Sequence, residues 1–119
     1  MSIAANIAVG LIGLLHVYIL VLEMFLWDKP AGLRTFGQTP AQAAASKVLA
    51  ANQGLYNGFL AAGLFWGLSL GDEAGRGVKV FFLLCVLAAG LYGAATASRK
   101  ILFIQAVPAA IGLALVLLA

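Results

Sequence analysis

Residues 3–27, IAANIAVGLIGLLHVYILVLEMFLW, form one apolar run with a histidine and a glutamate inside it. Crossing the hydrocarbon core of a bilayer takes ~20 helical residues, and this run is long enough. An ionisable side chain within such a span costs ~2.5–3.5 kcal/mol or more on insertion scales, so it faces protein or water rather than lipid. At the helical repeat His16, Leu20, Glu23 and Trp27 fall on one face. The rest of the chain is therefore expected to offer polar partners to that face.

The composition narrows the class. Of the 119 residues 64% are hydrophobic and only 9% charged, with a mean hydropathy of +1.08. Soluble domains are ~25% charged. The expectation is an all-α integral membrane protein with the bilayer as its main partner, a single transmembrane domain over 1–119 and no separate soluble module. One cysteine, Cys85, allows no intrachain disulfide and reads as a small apolar core residue. The net charge of +3 comes from turn lysines and arginines. It is a topology signal and does not point to nucleic acid. The opening MSIAAN lacks a basic stretch, so the first run reads as a retained helix and not a cleaved signal.

Four helices are predicted, at about 3–27, 40–70, 78–97 and 101–118. Asp28-Lys29-Pro30-Ala31-Gly32 should break the first. Thr39 is expected as the N-cap of the second, with Pro40 in its first turn and Gly71 closing it. Ser98 suits the start of the fourth, which carries Pro108 internally. Short connections between the last three imply an up-down four-helix bundle. Lys29, Arg34, Lys47, Arg99 and Lys100 fall on one side, Arg76 and Lys79 on the other. The positive-inside rule then places loops 1 and 3 in the cytoplasm and both termini outside, in a multi-pass protein of the inner (plasma) membrane.

Each helix carries a polar stripe. The second has Asn52, Gln53, Tyr56 and Asn57, the third Tyr92 and Thr96, the fourth Gln105. Polar groups in lipid need partners, so these side chains, with His16, Glu23 and Trp27, are expected to line one shared pocket in the cytoplasmic half. The outer half looks closed and apolar, which counts against a simple channel. Small residues at Gly54, Gly58 and Ala62 on the second helix, and at Ala89, Gly93 and Ala97 on the third, suit close packing within the bundle or against a second copy in a homo-oligomer.

Individual residues admit two readings each. Glu23 is a proton-coupling carboxylate or general base, or a structural ion pair with Lys47 or Arg99. His16 relays protons or contacts a ligand, or is a neutral imidazole bonded to Asn57 or Gln53. The two lie ~10 Å apart along the helix, which is too far for a direct dyad. No metal-ligand spacing, nucleophile elbow or phosphate loop is present, and no cofactor follows from the residues.

The run from His16 to Trp27, the Phe36-Gly37 pair, ANQGLYNGFLAAGL over 51–64 and QAVPA over 105–109 resemble the bacterial membrane-protein family known as domain of unknown function 1304. That resemblance covers nearly the whole chain and implies a small four-helix membrane protein without an established activity. The chain is also similar in plan to small multidrug-resistance transporters, with an acidic residue in the first of four short helices. Glu23 lies nearer the membrane edge than a midplane coupling site would. The expected function is to bind or sense a small lipophilic molecule with a polar head in the cytoplasmic-side pocket, since ligand sites are mostly apolar with a few placed polar groups. The alternatives are a small proton-coupled transporter using Glu23 and an intramembrane enzyme using His16 and Glu23.

Overall fold

A computed structural model describes residues 2–119. The described residues are all-α, with no strand among them. Helix α1 spans Ser2–Met24, α2 Pro30–Phe36, α3 Pro40–Ser69 and α4 Arg76–Thr96. A π-helical turn at Leu102–Ala106 leads into α5, Val107–Leu118.

Local chemistry sets most of these limits. Thr39 closes a reciprocal cap on α3: the Gln42 amide donates to Thr39 Oγ1 at 3.2 Å, and the Thr39 amide to Gln42 Oε1 at 3.0 Å. Gly71, at φ 90°, ends α3 as expected. Serine 98 also acts as foreseen, its Oγ accepting from the Lys100 amide at 3.3 Å.

Three boundaries differ from the sequence expectation. Helix α1 stops at Met24 instead of reaching Trp27, because the Phe25 and Leu26 amides both turn back to the Val21 carbonyl. Pro30 does not merely break the chain but opens α2, an additional helix, because proline lacks the N–H that a first-turn residue leaves unpaired anyway. Before Pro108 the last helix widens. The Val107 amide bonds five residues back to Leu102, leaving a π turn where a regular helix was expected.

The chain divides into two compact units: residues up to Gly13 together with Leu60–Ala119, and Leu14–Phe59. The first is built on Val9, Ile12, Leu64, Leu83, Val86 and Ala109, and there α4 packs along the π turn and α5. The second has a small core of Trp27, Ala43 and Ala50, with Leu33 of α2 against it.

Two helices, α1 and α4, are long and apolar enough to cross a membrane, with mean hydropathies of 2.2 and 2.1 over their best windows. Their outward faces carry Ile3, Ile7, Leu11, Leu14, Phe81 and Leu84, all exposed.

Candidate functional site

In the Leu14–Phe59 unit, Glu23 stands in the last turn of α1 and is 8% exposed. Asn57 Nδ2, on α3, donates to Glu23 Oε1 at 2.5 Å. The approach of the two helices depends on Gly54, one turn before Asn57. A Cβ at Gly54 would meet Met24 Cγ at 2.5 Å and Glu23 Cβ at 3.2 Å. Any side chain there would push Glu23 away from its partner. The small-residue face of α3 is thus used inside this unit, and Leu20 packs over Gly58 in the same way.

Of the two readings of Glu23, an ion pair with Lys47 does not form. Lys47 Nζ instead donates to Asp28 Oδ2 at 3.0 Å. Asp28 follows the helix end and meets the lysine at the protein surface, where desolvation costs little. That hydrogen bond from Lys47 holds the Asp28 carboxyl below the ordinary aspartate range. Glu23 keeps a neutral partner, the Asn57 amide.

His16 is fully buried in α1. Trp27 is buried too, but it lies beyond the helix in the turn before α2 and so leaves the face on which it was placed. Its Nε1 donates to Ser46 Oγ at 3.1 Å, and its ring meets Phe36 with centroids 4.7 Å apart. This fixes α2 over the start of α3.

Asn52, Gln53 and Tyr56 are exposed. Asn52 Nδ2 bonds back to the Val48 carbonyl of its own helix at 2.9 Å. A side-chain amide can bond its own backbone in this way, so a polar residue on a helix does not by itself mark an interior face. In the other unit Tyr92 is 73% exposed, and exposed Thr96 donates to the Tyr92 carbonyl at 2.7 Å. Gln105 is half-buried on the π turn.

The sequence reading missed a second polar cluster. Lys79, expected near the start of the third helix and counted there only as a topology charge, lies in α4 and is 3% exposed. Its Nζ donates to Asn6 Oδ1 at 2.9 Å. Asn6 Nδ2 in turn donates to Asp72 Oδ1 at 2.8 Å, and Lys79 Nζ lies 3.8 Å from the same oxygen. The aliphatic stem of Lys79 passes over Gly67, where a Cβ would meet Lys79 Cγ at 2.8 Å. The signal was present in the sequence: Lys79, Leu83, Val86 and Gly90 repeat at helical spacing and are the buried stripe of α4. The cluster borders a cavity of about 250 Å³.

Comparison with known proteins gives two matches. Residues 10–117 match the family described as "Protein of unknown function (DUF1304)". The chain is similar to an uncharacterized protein, YpaA, of Lactococcus lactis subsp. lactis (strain IL1403), at 30% identity over 107 residues, covering 88% of this chain and 89% of that one. No solved structure matches.

Proposed function

The chain belongs to the DUF1304 family, and from that premise we propose that it is a multi-pass membrane protein holding a small lipophilic molecule whose polar head meets the Glu23–Asn57 contact. Support for the membrane comes from what α1 and α4 leave uncovered. Only 33% and 22% of their apolar windows are buried. The core helix of a soluble protein is mostly buried, and exposed apolar surface of this extent suits lipid. On this reading α3 and the Leu102–Leu118 segment complete a four-helix bundle. Loops 1 and 3 face the cytoplasm and the termini face away, following the excess of lysine and arginine in those loops.

One observation carries the ligand reading. Glu23 is enclosed, and among the described residues no basic side chain pairs with it. A buried carboxyl held by one amide retains acceptor capacity, or a proton to donate, that the protein does not use. A ligand bearing a hydroxyl or an amine would complete it. The same feature favours the second reading, proton-coupled transport through Glu23, because a carboxyl without a fixed cation is free to exchange its proton.

Native mass spectrometry of the purified protein separates these readings. Binding predicts a co-purified lipophilic molecule on wild type that is lost from Glu23→Gln and Asn57→Leu. Transport predicts pH-driven substrate movement in proteoliposomes that Glu23→Gln abolishes while thermal stability stays unchanged. A wild-type protein with neither property refutes both.

A further inference from the structure

We propose that the cavity lined by Asn6, Asp72, Glu73, Arg76, Lys79 and Val116 binds a small zwitterion carrying a primary ammonium and a phosphate. The argument begins with which charges there are already used. Lys79 and Asp72 are held together through Asn6 and form one side of the cavity. Glu73 and Arg76 line the same space without pairing with each other, and among the described residues the Glu73 carboxylate has no hydrogen-bond partner. Arg76 is anchored by one nitrogen, Nη2, to the Leu117 carbonyl at 3.0 Å, which leaves the rest of its fork unused.

Among the side chains that line it, the cavity therefore presents one spare acid, Glu73, and one spare base, Arg76. A simple anion would leave Glu73 opposed, and a simple cation would leave Arg76 opposed. A zwitterion answers both. Helix α4 also opens here, at Gly75, with no side-chain cap. Arginine suits phosphate because its planar fork donates two parallel bonds. Glu73 suits a primary ammonium, which brings three donors, over a quaternary one, which brings none. The volume of about 250 Å³ exceeds that of a single water, ~30 Å³, and matches a headgroup-sized ligand.

Two sources carry this chemistry: the head of phosphatidylethanolamine and a soluble phosphoethanolamine. The lipid source rests on the membrane reading given above, which brings headgroups to the end of α4. The soluble source does not.

The test uses full-length protein in detergent. One arm measures retention of phosphatidylethanolamine against phosphatidylcholine by native mass spectrometry. The other measures binding of glycerophosphoethanolamine and glycerophosphocholine by calorimetry. The expected result is a preference for the primary ammonium in at least one arm. Glu73→Gln should reduce that preference ~tenfold, the size of one charge-assisted hydrogen bond. Arg76→Gln should weaken both head types alike. Both residues are exposed, and an unchanged melting temperature confirms that the variants fold. Equal retention of the two lipids with no binding of either soluble probe overturns the proposal, as does a preference that survives Glu73→Gln. Release of wild type from membranes by alkaline carbonate would defeat the membrane reading and the lipid source, leaving the soluble arm to decide the cavity.

Discussion

Glu23 and Lys79 are both buried, both helical, and each is seated against a glycine of α3, yet the protein treats them differently. Lys79, in the unit that contains α4, has a two-part partner: the Asn6 oxygen in contact and the Asp72 carboxylate just beyond. Asp72 is itself 59% exposed at its side chain, so the pair reaches water. Glu23, in the Leu14–Phe59 unit, has a single neutral amide. A buried charge is tolerated when a counter-charge and hydrogen bonds satisfy it together. Lys79 meets that condition and is read as structural. Glu23 does not, which makes it the one to suspect of chemistry.

The comparison breaks first at the two glycines. Gly67→Val should push the Lys79 stem and its backbone amide, and Gly54→Val should push Glu23 and Met24. Overpacking of this kind costs ~1–3 kcal/mol, read as a lowered melting temperature in detergent. If either variant is as stable as wild type, the close approach at that glycine is not what seats the charge.

The partners come next. Asn57→Leu removes the sole amide on Glu23 and should cost up to ~1.7 kcal/mol, the upper end for hydrogen bonds between membrane helices. Asn6→Leu leaves Asp72 to Lys79 and should cost less, ~0.6 kcal/mol. Thermal denaturation of the two variants side by side ranks them. The reverse order would show that Lys79 depends on Asn6 more than on its counter-charge.

The smallest effect belongs to Asp28 and Lys47, a pair at the protein surface. The hydrogen bond from Lys47 lowers the folded-state value for Asp28, so the pair contributes only above the unfolded value of ~3.9. That contribution is lost as the pH falls through the lower folded value. A melting curve taken across this acid range should flatten slightly in Asp28→Asn. An unchanged slope would mean that the pair contributes nothing to folding.

Much of the backbone plan was legible because it rests on short-range chemistry. The Thr39–Gln42 cap and the Gly71 turn need only neighbouring residues to form, and both were anticipated. The end of α1 was not, because the run stays apolar through Phe25 and Leu26 while the backbone bonds have already turned back to Val21. Burial of polar side chains was the least legible feature. Asn52 and Asn57 lie on one helix five residues apart and differ in no intrinsic preference. One bonds its own backbone while the other reaches Glu23. The burial of Lys79 was hidden by its charge, which made it count as a flanking topology signal although its spacing matched the apolar stripe.

The wide turn at Leu102–Ala106 works as an indexing step. Each residue of an ordinary helix advances the facing direction by ~100°, so one extra residue in a turn resets the angle at which everything after it emerges. Beyond the turn Ala109, Gly112 and Val116 point inward as one line. A residue count carried across the turn misassigns that line. The length of this five-residue segment, and not only its chemistry, selects which side of the last helix is inside. Lengthening or shortening it by one would leave the composition almost unchanged and turn a different set of side chains toward the core.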